Sequence, residues 1–529
     1  MSPTFPLFSL RTQPHGDAHG LAVTDVYGRE ALSQLYQYDI TLEPEANAAS
    51  LVAPQEFIHA PCTLAFTADA SRVVHGIVVH TEFAVAQETG RAVYRLRMVP
   101  GLWRATQAVR SKVFLDMSLP QLLRAVLHET GLVEGDDYTL ALTQTYPPRP
   151  YTVQYNETDY DFLARRCEHE GVHFHFQHAE AGSRVVFADT HGAFPEHPTH
   201  ALPYDPREAA NDGMAVRSVV QHTALRPRAV ALRDYHEASS RVVMNNRLAP
   251  VDEALWTRAQ SGLQSHYAAG VQTEAEASRL AAIRAEELAV SREQYTGRGL
   301  SPGLHPGERF AIQGHPFPVF EAEMLVVSVV HQASQGPQDR AAGAARYVHD
   351  FVAMPAAGVF RPARVTPRPV MPALLPAVID GPTQGTAAPI DAEGRYRVVL
   401  PFDTMAVGGG RGSCPLRLVT PTAGPGYGLH VPLHVGTHVL VGHLHDDPDR
   451  PVIVGAVPLP AQRPPITRSL HTRAALATRG GVRVETDDDA PVWQPASVVR
   501  AMAQNAAQAQ VVNPGQVICA DPSLGRPHR

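Results

Sequence analysis

Lysine is almost absent from this 529-residue chain: Lys112 is the single copy among 45 basic residues. Positive charge is therefore carried by arginine, which coding bias accounts for without a functional reading. Acidic residues outnumber basic ones by 52 to 45, for a net charge of −7. Proteins that hold phosphate backbones present a basic surface, so the balance argues against a general nucleic-acid binder. Cysteine is scarce as well. Cys62, Cys167, Cys414 and Cys519 stand far apart with no CxxC pair, which excludes a zinc-finger or thioredoxin-type motif and a disulfide framework. A reducing cytoplasm is the home this implies. No run reaches the ~18 apolar residues of a membrane-spanning helix. The opening stretch MSPTFPLFSLRTQPHG has no basic segment followed by a long apolar run, so no signal peptide is expected. Export would then need a route other than the general secretory one.

What the chain has in plenty is proline (46) and glycine (39), the composition of turn-rich β architecture. Its length is too great for one core, and about two to four domains are expected. From the start to about residue 100, LAVTDVYGRE, YQYDITLEP, CTLAFTA, RVVHGIVVHTEF and AVYRLRMVP read as strands, with His75-Gly76 marking a sharp bend. The period then changes. Leu119, Leu122, Leu123, Val126 and Leu127 share one helical face, with Ser118 as N-cap, Pro120 just inside and Gly131 as the stop. A short helix follows over Tyr160–His169, capped by Thr158 or Asp159 and ended by Gly171. Beyond it Val172, Phe174 and Phe176 alternate with His173, His175 and Gln177 along a strand. A third helix begins at a Thr273/Glu276 capping box and continues to about Arg292, its alanines and glutamates suiting a linker packed on one face. The proline-rich stretch Gly358–Pro376 should hold neither a helix nor an inner strand, and reads as a linker.

Residues Gly394–Val457 are the most informative. GRYRVVLP, PLRLVT, the run holding Val435, Val439 and Val441, and Val452-Ile453-Val454 alternate as short strands. Between them lie the turn formers Gly408-Gly409-Gly410, Ala423-Gly424-Pro425-Gly426 and Asp446-Asp447-Pro448-Asp449. Four or five such strands fit a small Greek-key barrel of the OB type. The ordered string GRYRVVLPFD, PTAGPGYG and VPLHVGTHVLVGHLHDDPDRPVIVGAV resembles the OB module of the VgrG family, the spike proteins of type VI secretion systems, related to phage tail spikes. GREALSQLYQYDITL, VVHGIVVHTEF, VFLDMSLPQLLRAVL, AVALRDYH and PRPYTVQYNETDYDFLARRCEHEGVHFHFQH resemble the hub of the same family, and RGGVRVETDDD resembles the first strand and turn of its needle.

The resemblance implies a mainly β fold with a few helices. Residues 1–365 would form a hub of β-barrel domains, 366–376 a proline-rich linker, 377–458 an OB-fold barrel, and 459–529 the needle entry and tail. The stub would be short, because no regular apolar–glycine repeat follows Trp493. The implied protein is a homotrimer seated on the inner-tube (Hcp-like) protein among baseplate proteins, with a PAAR-like tip protein at its end and effector cargo on its tail. It would be assembled in the cytoplasm, exported by the machine and driven through a target membrane, with no enzymatic activity, cofactor, metal or nucleic acid.

Two other readings compete. His169-Glu170-Gly171-Val172-His173 matches HExxH, in which two histidines one helical turn apart hold zinc and the glutamate polarises water, giving a hub-fused zinc hydrolase. That chemistry needs one continuous helix, and Gly171 followed by strand alternation should make the imidazoles diverge. Alternatively, the OB module binds nucleic acid or carbohydrate, which calls for exposed aromatics among basic residues. The module offers just Tyr396, Phe402 and Tyr427, beside an acidic turn. It also carries His430, His434, His438, His443 and His445 near Asp446 and Asp447. Three copies of His443 or His445 on a threefold axis would suit a metal, although surface loop histidines are the simpler expectation.

Overall fold

The computed structural model describes residues 8–12, 16–17, 20–45, 52–66, 72–85, 90–179, 182–194, 201–207, 214–227, 229–236, 241–244, 249–250, 262–335, 346–460, 464–489 and 500–502. The chain divides into two compact units, Met1–Pro369 and Val370–Arg529.

A 13-stranded sheet organises the first unit. Its main path runs Val216–Thr223, Glu293–Gly299, Arg346–Pro355, Met324–Ser334, Leu21–Ala31, Gln37–Pro44, Ala92–Val99, Val73–Val85, Pro61–Phe66, Phe8–Thr12 and Gly16–Asp17. The period-two pattern of the sequence becomes alternating burial: Val26, Gly28 and Glu30 face inward while Asp25, Tyr27 and Arg29 face out. Two cores grow on this sheet. Phe8, Tyr38, Ile40, Leu64, Tyr94 and Met98 fill one; Tyr295, Phe310, Ile312, Met324, Val326 and Phe351 fill the other. A charged pair lies inside as well. Arg72 Nη2 reaches Glu30 Oε1 at 2.5 Å, and Arg72 Nη1 donates to the carbonyls of Gly303 and Leu304, both at 2.9 Å. No bend occurs at His75-Gly76. The strand runs unbroken over Val73–Val85, and its register slips later, between Val78 and His80. Glycine is needed at 76 for closeness: a Cβ there would lie 2.7 Å from both Met98 Cγ and the Val99 carbonyl oxygen.

Among the described residues the unit has three α-helices. In α1 (Leu119–Glu129) the five predicted apolar positions are all buried, and the Ser118 N–H donates to Gln121 Oε1 at 2.8 Å. Helix α2 spans Asp159–Glu170. Helix α3 (Glu274–Val290) has the predicted cap, Thr273 Oγ1 accepting from Glu276 N at 3.1 Å. The returning carboxylate lands one residue early, on Gln272 N at 2.7 Å. This helix is more than a one-sided linker. Ala277, Leu280 and Ala281 join Val230 and Leu232, of strand Ala229–His236, in a core, while Ile283 comes against Gly171 beyond α2.

The second unit holds a closed barrel. Leu375–Ile379 pairs antiparallel with Val398–Val399 and with His438–His443, and the latter pairs with Pro451–Ala456. A parallel bridge from Ile453 to Leu418 and an antiparallel bridge from Leu416 to Tyr396 complete the circuit. Ala377, Ile379, Tyr396, Val398, Leu416, Val439, Val441 and Ile453 fill the interior. The first strand thus begins inside the stretch read as unable to hold an inner strand. Pro376 is tolerated because it pairs with Leu440 on one side, whereas the neighbour on the other side reaches just Val378 and Ile379. Beyond the barrel, Arg473–Ala477 and Arg483–Asp487 form a hairpin, joined by Arg500–Met502. RVETD is therefore the second strand of the hairpin, where the sequence suggested the first.

Candidate functional site

Three places carried chemistry in the sequence: the HEGVH segment, the histidines of the barrel, and the C-terminal strands.

Helix α2 starts where Thr158 Oγ1 accepts from Asp161 N at 2.9 Å, with Asp159 and Asp161 at the positive end of the helix dipole. It stops at Glu170, because Gly171 takes the left-handed conformation with φ of 71° and the strand His173–Ala179 begins two residues later. His169 and His173 thus stand on different elements. Glu170 accepts from Arg279 Nη2 at 2.6 Å and Arg149 Nη2 at 3.4 Å. Burial raises the energy of its charge, and Arg149 and Arg279 outweigh that and hold its pKa below the usual carboxylate range. The carbonyls behind it are taken as well: Arg284 donates to those of Glu168 (3.1 Å) and His169, and Arg361 Nη1 to Gly171 (2.9 Å). What matched a zinc motif is a clasp of arginines from α3 and from residue 361 on the end of α2. Among the described residues no group of three His, Cys, Asp or Glu could hold a metal ion.

Both faces of the following strand are buried at its start, which alternation alone did not indicate. His173 and His175 are 1% and 2% exposed. His173, His175 and His191 all pack on Phe194, with ring centroids 4.5, 5.4 and 5.4 Å away. Neither ring nitrogen of His173 has a hydrogen-bonding partner among the described residues. Burial, and then the neighbouring His175, push His173 down to about 3; burial and then His305 push His175 to about 4. The strand start shows a histidine every second residue, a visible signal. Phe194 is too distant in sequence for the cluster to be read there.

In the barrel the histidines are scattered. His430 stacks on Tyr396 at 6.3 Å. His438 opens a strand opposite Val378. His443 is lowered to about 4 by burial, against Asp446 and Asp449. His445 sits in a left-handed turn, φ 57°. The acidic turn is closed on itself, Asp447 Oδ1 accepting from Asp449 N at 3.0 Å. The glycine loop is explained by a residue the sequence reading passed over. Asp380 accepts from Gly409, Gly410 and Gly412 N–H groups at 3.0, 2.9 and 2.8 Å. Tyr396 is buried, which leaves the half-buried Phe402 and Tyr427 (68% exposed), a poor platform for stacked bases or sugars.

The C-terminal hairpin differs from everything before it. None of its ten paired side chains is buried; Leu476 is 41% exposed, and Val482 in the turn 51%. Two strands without a core are marginal in water.

A large hub sheet with capping helices, continued by a five-stranded OB barrel and an uncovered hairpin, is the plan of a phage-tail hub and spike. The chain belongs to the phage tail baseplate hub (GPD) family, which matches residues 29–337, and residues 387–457 match the type VI secretion system/phage-baseplate injector OB domain. The resemblance to VgrG read from the motifs is borne out. The type VI secretion system spike protein VgrG4b of Pseudomonas aeruginosa is 32% identical over 491 residues, covering 88% of this chain and 58% of its own length. The actin cross-linking toxin VgrG1 of Vibrio cholerae is 28% identical, covering 87% of this chain and 42% of its own. The chain thus spans about half the length of these relatives. The solved E. coli c3393 protein is described as a type VI secretion component similar to the T4 tail proteins gp27 and gp5. It superposes with a TM-score of 0.60 at 24% identity, over 85% of this chain and 99% of its own. Among the described residues no helix is long and apolar enough to cross a membrane.

Proposed function

We propose that this chain is the structural spike of a contractile injection system of the type VI kind, acting as a homotrimer that punctures membranes and carries effectors. Residues 1–365 are the hub seated on an Hcp-like inner tube and its baseplate, 377–458 the OB barrel, and 459–529 the needle entry that receives a PAAR-like tip. The protein is assembled in the cytoplasm and leaves with the machine. It catalyses no reaction of its own; the actin cross-linking named for one relative belongs to a protein more than twice as long as the matched region.

One observation carries this reading: a hairpin without a core, Arg473–Asp487, follows a closed barrel whose last strand ends at Ala456. Bare strand edges are an aggregation liability in a monomer and an asset when copies close around an axis. An obligate interface of this sort buries more than ~2,000 Å². Mass by light scattering, with end-on images of the purified particle, tests it. Three copies of the 57.3 kDa chain around a threefold axis support the spike. A well-behaved monomer with affinity for nucleic acid supports the OB-binder instead.

A further inference from the structure

The hub sheet is built twice. One run of neighbouring strands is Leu21–Ala31, Gln37–Pro44, Ala92–Val99, Val73–Val85 and Pro61–Phe66; the other is Val216–Thr223, Glu293–Gly299, Arg346–Pro355, Met324–Ser334 and Arg309–Gln313. Both are antiparallel throughout. Their bulges coincide. In the first strand of each run the register slips between Val23 and Asp25 and between Val216 and Ser218. In the fourth it slips between Val78 and His80 and between Val326 and Ser328. The same pair of bonds pins each fourth strand. His59 N donates to Val78 O (2.8 Å) and Val78 N to Ala60 O (3.1 Å); Gly307 N donates to Val326 O (2.9 Å) and Val326 N to Glu308 O (2.8 Å). Counted from the bulges, Ala31-Leu32 corresponds to Ala224-Leu225, and Ser328 to His80.

The two runs differ at their seams. Within the chain, Met324–Ser334 pairs with Leu21–Ala31, from Ser328 opposite Ala31 to Ser334 opposite Asp25, and Leu32 N donates to Val327 O at 2.9 Å. The corresponding seam would join residues 80–85 to residues 218–224, but six strands separate the two in the sheet. Residues 80–85 pair with Ala92–Val99 alone among the described residues, and Val216–Thr223 ends the sheet. Asp205 N covers Val216 O at 3.0 Å, short of Ser218. Side chains buried at the first seam are bare at the second. Leu32 is 4% exposed and Leu225 72%; Ala333 is 9% exposed and its counterpart Val85 58%. Phe83 is likewise exposed where His331 is buried. Two bare edges with apolar side chains are unfavourable in water unless something covers them.

We propose that residues 80–85 of one copy pair antiparallel with residues 218–224 of the next, so that a second copy supplies at this seam what the chain supplies to itself at the first. The in-chain register, carried over, sets His80 opposite Ala224, Glu82 opposite His222 and Ala84 opposite Val220. No like charges then face each other, and Leu225 takes the buried place that Leu32 has within the chain. The contact runs head to tail, so it is satisfied in every copy when the copies close a ring. It rests on the three-copy reading above and places a second seam in the hub, independent of the C-terminal hairpin.

The test uses the full chain carrying Ala84→Cys and Val220→Cys, mildly oxidised. Directly opposed strand residues lie within reach of a disulfide, whose Cα atoms are about 5.5–6 Å apart. Tyr27→Cys with Gln332→Cys is the control, because those two face each other within the chain at the corresponding positions. The control should close inside one copy. The test pair should link copies into dimer and trimer bands on non-reducing gels, bands that either single variant lacks. A particle of three copies in which the control closes and the test pair stays unlinked overturns the seam and leaves the spike reading standing; a chain that stays monomeric overturns both. Leu225→Ser gives a second readout. It should weaken association about tenfold or more while leaving urea unfolding of the hub unchanged, whereas Leu32→Ser should destabilise the hub itself. Undiminished association of Leu225→Ser would also overturn the seam.

Discussion

A Cβ added at Gly171 would sit 2.5 Å from Ile283 Cγ2, at a backbone φ of +71° that side chains with a Cβ rarely adopt. Strain and overlap act together, so Gly171→Ala should cost about 2–4 kcal/mol in urea unfolding. The nearby histidines respond to a different variable. His173 faces His175, His191, Arg361 and Asp189, and its pKa is pushed down to about 3; that of His175 is pushed to about 4. Their ordinary value is 6.5. A histidine held neutral in the fold binds its proton more readily once unfolded, so its contribution is fully present above about pH 6.5. It falls away as pH drops toward the folded value. The unfolding free energy from urea curves should therefore decline between pH 6.5 and 4, by on the order of 1.4 kcal/mol per pH unit for each such residue. The His173→Leu/His175→Leu double variant should flatten that slope; a slope identical to the parent's would show that other groups dominate.

Among the elements, α2 matters most, because four arginines from outside it, Arg149, Arg279, Arg284 and Arg361, converge on its C-terminal end and the glycine that stops it. Glu170→Gln should lower stability by about 2–4 kcal/mol, since Arg149 and Arg279 would lose a buried counter-charge. Added zinc should leave the unfolding curves of both proteins unchanged, whereas a zinc-dependent shift in the parent would revive the hydrolase reading. Much of this was legible in the sequence. Ser118, Thr158, Thr273 and Gly171 marked helix ends because capping is a local effect, carried by one side chain and the next few amides. The barrel was legible for the same reason, through alternation between glycine and aspartate turns. What stayed hidden was set by distant partners. Gly28 lies in a stretch read as a strand, and the reason for glycine there is Tyr38 opposite it, whose ring occupies the space a Cβ would need. Asp380 looks like an ordinary loop acid until the loop of Gly409 and Gly410 folds back onto it. Pro376 argued against a strand because the sequence does not say which side of a strand is left unpaired.

For the whole molecule, the deciding contrast is between units that finish their own cores and a segment that does not. The hub sheet and the barrel bury large apolar sets within one chain, and each is expected to fold without help. The hairpin Arg473–Asp487 buries nothing, and its neighbouring strand Arg500–Met502 extends the same small sheet. If association supplies the missing core, a chain ending at Leu459 should remain folded, with hub unfolding within about 1 kcal/mol of the parent, as expected for removal of a separate exposed segment. It should also dissociate at far lower dilution stress than the full chain, because the strands that interleave copies would be gone. Hydrogen exchange reads the same point from the other side. Amides of Arg473–Ala477 and Arg483–Asp487 should exchange slowly in the assembled particle and rapidly in any monomer fraction. Slow exchange of that hairpin in a monomer would mean that it is stabilised within its own chain, and the argument for a spike built around a shared axis would lose its physical basis.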